Sequence, residues 1–196
     1  GEFALYYQPR VDVVSRRIVA VEALLRWVSP TRGVVPPGEF ISVLEDTGMM
    51  NIVGEWVLRS ACEAARTWVA HSQARVAVNL SGRQLDHPDF SKRVKKILTE
   101  SGLPASRLEL ELTESLATND TARRTIAELR ALGIRVAIDD FGTGYSSLTL
   151  LKRLNIDMLK IDQSFVRGAA QTDPDRVILA AIIHMARGLG LDVMAE

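Results

Sequence analysis

Seven side chains at the ends of apolar segments carry the chemistry open to this sequence: Glu22, Asn79, Glu111, Asp139, Asp140, Lys160 and Glu196. Six offer oxygen, one offers an ammonium, and neither histidine nor cysteine is among them. Mg²⁺ and Mn²⁺ favour such a donor set, whereas zinc sites favour imidazole and thiolate. The focal stretch is Val136 to Leu148, VAIDDFGTGYSSL, in which Asp139 and Asp140 stand side by side at the end of a buried apolar run. Two such carboxylates repel and are costly to desolvate, and a shared divalent cation removes that cost. Taken alone, the stretch reads equally as a metal site or as a helix-capping Asp beside a solvated one. The polar residues closing the other strands turn the balance toward metal. Two cations can hold a phosphate and acidify a bridging water, while Lys160 orients that water or stabilises developing negative charge. That is a two-metal phosphoryl hydrolase.

The elements that must position these groups follow from hydrophobic periodicity. Residues 5–12 and 18–27 read as an antiparallel hairpin turning around Ser15 to Arg17. A Pro- and Gly-rich loop leads to a helix over 37–45, ended by Gly48, and then to a longer helix over 51–68. Strands are expected at 76–80, 108–112, 134–138 and 156–161, and a further one begins at 191–195. Between them the pattern predicts helices over 88–100, 120–132, one running to Arg153, and 173–190 with Asp173 as N-cap and Pro174 in the first turn. Repeated strand-helix units imply a parallel sheet, doubly wound or closed into a barrel. The faces favour the barrel. Glu22 shares a face with Ala20, Asn79 with Ala77, Asp139 with Ala137, Glu111 with Glu109, Lys160 with Met158 and Glu196 with Met194, while the opposite faces are nearly all Val, Leu and Ile. Polar groups at the C-terminal ends of the strands are where (β/α)8 barrels put their chemistry. The fold class expected is α/β, a modified TIM-like barrel; with seven strands counted, the last strand-helix unit is missing.

The bulk properties restrict the partners. A chain of 196 residues, 47% hydrophobic with formal net charge zero, suits one globular domain and lacks the basic surface that long nucleic acids need. Small nucleotides stay open. The single Cys62 lies among alanines, which reads as a small buried residue in a reducing compartment. His71, His87 and His184 are scattered, and His184 reads as structural. The apolar run Val177 to Ile183 is too short for a bilayer, so the expected address is cytoplasmic, with a membrane anchor on a longer parent left open. Arg26, on the face of Glu22 and Leu24, suits a phosphate. Glu114, three residues after Glu111, suits hydrogen bonding to the backbone of the loop from Asp139 to Ser147.

With these residues in view, the chain resembles the EAL domains, which hydrolyse the bacterial messenger cyclic di-GMP. The resemblance runs through Tyr6-Tyr7-Gln8-Pro9, Glu22-Ala23-Leu24-Leu25-Arg26-Trp27, Asn79-Leu80-Ser81, Glu111-Leu112-Thr113-Glu114, the Asp139 to Leu148 loop, Lys160-Ile161-Asp162 and Ala195-Glu196, in that order. It implies that Glu22, Asn79, Glu111 and Asp139 bind a first Mg²⁺ or Mn²⁺, and Asp139 with Asp140 a second, with Ca²⁺ inhibitory. It further implies that Lys160 positions the attacking water, that Glu196 acts on the second metal or that water, that Gln8 and Arg26 contact the dinucleotide, and that Glu114 braces the loop after Asp140. The product implied is linear pGpG, and the barrel implied has an antiparallel first strand, as the hairpin requires. A homodimer and a longer parent with sensory or GGDEF-type domains are also implied. Family members continue beyond Ala-Glu with a helix, a last strand and a Gln-Gly motif. Residues 1–196 therefore read as an EAL phosphodiesterase domain incomplete at its C-terminus, whose open sheet edge predicts poor folding alone. The alternative is a non-hydrolysing cyclic di-GMP receptor, which typically lacks ring residues that this sequence retains.

Overall fold

The computed structural model describes residues 1–69, 71–142, 151 and 154–195. They form two compact units.

The first comprises Gly1–Leu110 with Leu132–Ile134. It opens on strands β1 (Phe3–Val11) and β2 (Ile18–Ser29), the expected antiparallel hairpin, with Gln8 opposite Glu22 and Arg10 opposite Ala20. Asp12 fixes the turn: its Oδ1 accepts from the Ser15 N–H at 2.6 Å, and the hydrogen bonds from Ser15 hold its carboxyl below the usual range. A short strand β3 (Gly33–Val35) pairs antiparallel with β2. Three residues between prolines are too few for a periodicity, so the sequence predicts only a loop there. Helices α1 (Pro37–Asp46) and α2 (Met50–Val69) follow, then β4 (Arg75–Asn79), α3 (Gly82–Leu85), α4 (Phe90–Ser101) and the first half of β5 (Leu108–Thr113). Helix α4 starts at Phe90 rather than Pro88, with Asp89 at its cap position. Strand order is β1-β2-β4-β5, and β4 runs parallel to β2 with Ala77 opposite Glu22. One face of β2 presents Trp27, whose ring meets the buried Phe40 of α1 edge-on at 6.1 Å between centroids. The core includes Leu58, Ala61 and Cys62 of α2, Val76 and Val78 of β4, and Val94 and Ile97 of α4. Cys62 is buried as expected, and burial pushes its thiol up to about 12.

The second unit comprises Glu111–Ala131 and Arg135–Glu196. It holds the end of β5, a 3-10 turn (Glu114–Thr118), α5 (Asp120–Ala131), β6 (Arg135–Phe141), β7 (Met158–Ile161), α6 (Gln163–Ala169), α7 (Asp173–Gly188) and β8 (Asp192–Ala195). Strand order is β5-β6-β7-β8, with β6–β7 and β7–β8 parallel. Several boundaries differ from those the sequence predicts, and one helix is additional. β6 does not stop at Ile138 but runs through both aspartates to Phe141. β7 starts at Met158 rather than Ile156. The seven-residue α6 is too short to show a helical period and was not expected; Asp162 caps it, accepting from the Ser164 N–H at 2.9 Å. The N-cap of α7 is Thr172 rather than Asp173, its hydroxyl accepting from the Asp175 N–H. The helix expected up to Arg153 lies mostly outside the described residues. Among those described, eight strands are present where seven were expected, and no helix is long and apolar enough to cross a membrane.

Candidate active site

The site residues fall into two groups, one in each unit. In the first unit they stand on the shared face of β1, β2 and β4. Gln8 lies opposite Glu22 in the hairpin register. Asn79, closing β4, donates from Nδ2 to Glu22 Oε1 at 2.9 Å, which leaves the carbonyl oxygen on the other side of its amide. The small Ala20 and Ala77 on this face, both buried, leave room beside Glu22. Asn79 is followed by Leu80 and Ser81, and Ser81 begins α3: its N–H donates to Gln84 Oε1 at 3.1 Å, fixing where the chain leaves the strand. Arg26 is half-buried four residues beyond Glu22, about 13 Å along an extended strand. Its guanidinium donates to the Leu25 carbonyl at 2.9 Å and lies 5.9 Å from the centre of the Tyr6 ring.

Behind that group lies a pair not anticipated from the sequence. Arg10, opposite Ala20, donates to Glu109 Oε1 at 2.6 Å, and both side chains are buried. Glu109 was visible only as a residue sharing a face with Glu111. The available signal was Arg10 itself, a charge two residues from Gln8 on the same strand face.

In the second unit Lys160 organises the site. Its side chain is 1% exposed, and Nζ donates to Glu111 Oε2 at 2.6 Å and to Asp139 Oδ2 at 2.9 Å. An ammonium buried to this degree persists only when carboxylates meet it. The register explains how Asp139 reaches it. Ala137 pairs with Met158 and Ile138 with Leu159, but the next pair is Phe141 with Ile161. One extra residue on β6 therefore sets Asp139 and Asp140 against the single Lys160, a bulge that breaks the alternation otherwise sending the two carboxylates to opposite faces. Asp140 has φ 52°, rare for a residue with a side chain, and its N–H donates to Asp139 Oδ1 at 2.9 Å. Asp139 is half-buried and Asp140 exposed, so the cluster opens to solvent there.

The next residue pair explains part of the Asp-Asp-Phe-Gly pattern. Gly142 has φ 103°, and a Cβ there would stand 2.5 Å from the Phe165 ring. Only glycine suits both conditions. In Lys160-Ile161-Asp162, the lysine serves the cluster, the isoleucine is fully buried and the aspartate caps α6, its carboxyl held below the usual range by hydrogen bonds from the Ser164 hydroxyl and backbone N–H. Glu114 opens the 3-10 turn after β5 and is half-buried. Of the loop from Asp139 to Ser147 that it is expected to brace, residues 143–147 lie outside the described residues, as does Glu196.

Glu22 and Asn79 of the first unit, and Glu111, Asp139 and Asp140 of the second, are all oxygen donors, a set whose chemistry fits a hard divalent cation. Among the described residues, in neither unit do three His, Cys, Asp or Glu side chains form a group that could hold a metal ion by themselves. In the second unit the ammonium of Lys160 neutralises two of the donors.

A sequence model of the EAL domain matches residues 1–196. The chain belongs to the EAL domain family. It is similar to the bifunctional diguanylate cyclase/cyclic di-GMP phosphodiesterase MucR of Pseudomonas aeruginosa, 41% identical over 199 aligned positions that cover 100% of this chain and 29% of that protein. It is also 41% identical to the signaling protein YkoW of Bacillus subtilis over 199 residues, covering 99% of this chain and 25% of that protein. This EAL domain thus spans about a quarter to a third of the curated relatives it matches. Among solved structures, the PaMucR phosphodiesterase in complex with c-di-GMP has a TM-score of 0.94 at 41% identity, over 99% of this chain and 80% of that one. The FimX EAL domain from P. aeruginosa bound to c-di-GMP has a TM-score of 0.89 at 26% identity, over 99% and 79%. The α/β fold is therefore the TIM-like one of EAL domains, including its antiparallel first strand.

Proposed function

We propose that this EAL domain hydrolyses one phosphodiester bond of cyclic di-GMP to linear pGpG, using Mg²⁺ or Mn²⁺. The observation that carries the reading is the buried Lys160, with Nζ at 2.6 Å from Glu111 and 2.9 Å from Asp139, beside a bulge that adds Asp140. The phosphodiesterase activity of the similar MucR supports it. Glu22, Asn79, Glu111 and Asp139 would hold a first divalent cation, and Asp139 with Asp140 a second. Such cations, when bound, neutralise phosphate charge and acidify water. The chain's own residues supply the rest. Lys160, held by two carboxylates, turns an N–H toward the attacking water or a phosphoryl oxygen as negative charge develops on it. The water oxygen bonds to phosphorus and gives up a proton to solvent, the P–O3′ bond breaks with its electron pair going to the 3′-oxygen, and that oxygen takes up a proton from solvent. Gln8 lies opposite Glu22 to meet the dinucleotide, and Arg26 offers a permanent cation to its phosphate. Glu196 is assigned to the second cation or the water, and Glu114 to the loop after Asp140. The same reading includes inhibition by Ca²⁺, a homodimer, sensory or GGDEF-type domains in a longer parent, and a cytoplasmic site of action.

The test is mass spectrometry of cyclic di-GMP after incubation with the chain and Mn²⁺, with Ca²⁺ as control. The reading requires pGpG with Mn²⁺ and none with Ca²⁺. Intact nucleotide under both, with cyclic di-GMP bound in a calorimeter, would overturn it in favour of a receptor.

A further inference from the structure

We infer that Asp157, held by Arg130, is a positioning residue that sets the register of β6 against β7 and thereby brings Asp139 to Lys160. The inference rests on the phosphodiesterase reading for its consequence in turnover, but on this unit's geometry alone for its mechanism. The β6–β7 ladder loses its regular pairing after Ile138–Leu159, where the bulge begins, so the end nearest the cluster is the end at which backbone pairing specifies register least. Pairing resumes only at Phe141–Ile161, and the opposite end supplies a further constraint. There the Asp157 N–H donates to the Val136 carbonyl at 2.8 Å, and the Asp157 carboxylate accepts the Val136 N–H at 2.9 Å. A side chain thus completes the ladder one step before its first regular pair, Ala137 with Met158. Three residues on from Val136 is Asp139, and three on from Asp157 is Lys160. The locked pair and the reacting pair are the two ends of one short run.

Arg130 fixes the carboxylate that does this. Its Nε donates to Oδ2 at 3.1 Å and its Nη2 to Oδ1 at 2.7 Å, a bidentate fork from the last turn of α5. The Asp157 carbonyl in turn accepts the Asp192 N–H at 3.0 Å, at the start of β8. One residue therefore ties three strands and the helix before them, at the end of the strands remote from the cluster. Lysine in place of Arg130 cannot make the fork, and asparagine in place of Asp157 keeps an acceptor for Val136 but loses the charge that aligns it.

The experiment uses ¹⁵N-lysine-labelled chain without metal or nucleotide and follows the Lys160 ammonium by NMR, with turnover measured separately in Mn²⁺. In the parent chain the Nζ protons exchange slowly with water, being buried and hydrogen-bonded. Asp157→Asn and Arg130→Gln are expected to speed that exchange at least about tenfold, and to lower kcat by a similar factor with KM for cyclic di-GMP changed less than about twofold. Arg130→Lys should fall between. If Asp157→Asn does not fold, Arg130→Gln alone decides. Unchanged Lys160 exchange in a variant that has only lost thermal stability would overturn the inference and leave Asp157 a purely structural clamp. Because the ammonium signal needs no catalysis, faster exchange in a chain without turnover would uphold the register role while refuting the phosphodiesterase reading.

Discussion

Two buried cations meet glutamates from the same strand, and their chemistry differs. Arg10 meets Glu109, and Lys160 meets Glu111 two residues further along β5. A guanidinium is planar, permanently charged and able to hold a carboxylate in a fixed fork, which suits a pair sealed in a core. An ammonium is a compact point charge with rotatable donors, which suits the proposed turn from a carboxylate to a water or a phosphoryl oxygen. The surroundings agree. Arg10 lies opposite the small, buried Ala20, whereas Lys160 also meets the half-buried Asp139 and stands across a bulge from the exposed Asp140. The first pair reads as structural, and the second is the one we propose to be chemical, although sequence alone makes both look like charges in a strand.

Substitutions that separate the two roles test the contrast. The largest effect is expected at the carboxylates of the chemical cluster: Asp139→Asn and Glu22→Ala should reduce hydrolysis to background while the melting temperature stays near that of the parent. Mn²⁺ titration calorimetry would show the lost affinity, and unchanged turnover at limiting Mn²⁺ would remove those residues from the site. Next is the structural pair. Arg10→Ala leaves Glu109 buried without this partner and should destabilise the fold by about 3–5 kcal/mol in urea unfolding. The double change Arg10→Met with Glu109→Leu should recover most of that loss, and kcat per folded molecule should hold. A smaller effect is expected of Gly142→Ala, which places a side chain at φ 103° and against Phe165. The backbone term alone is about 1–2 kcal/mol, read from the same unfolding curves. The smallest concerns Cys62, whose thiol burial raises to about 12. It should resist a disulfide reagent at pH 8 in the native chain and react fully in urea.

Much of this was legible in residue types. The hairpin, the α/β alternation and the placing of Glu111, Asn79 and Lys160 toward the C-terminal ends of their strands follow from alternation and from the rarity of buried charge, whereas Glu22 stands inside β2 (Ile18–Ser29), which runs on past it. The bulge was not. Asp139 and Asp140 were read as lying just past the end of a strand, because a period of two cannot show an extra residue that only the partner strand defines. Asp157 escaped for a related reason: its importance lies in a backbone N–H twenty-one residues earlier and in Arg130, contacts with no local signature. Arg10 with Glu109 is separated by 99 residues and needed the register to be seen. Short elements such as Gly33–Val35 and Gln163–Ala169 carry too few residues to reveal a period.

The proposed hydrolysis depends on Lys160 acting in the chemical step. The direct measurement is a pair of assays on Lys160→Met: cyclic di-GMP binding by calorimetry in Ca²⁺, and pGpG formation by mass spectrometry in Mn²⁺. The prediction is binding within a few-fold of the parent chain and turnover lower by about 10²–10³. Turnover at the parent level in the folded variant would contradict the assignment and return Lys160 to the same structural class as Arg10.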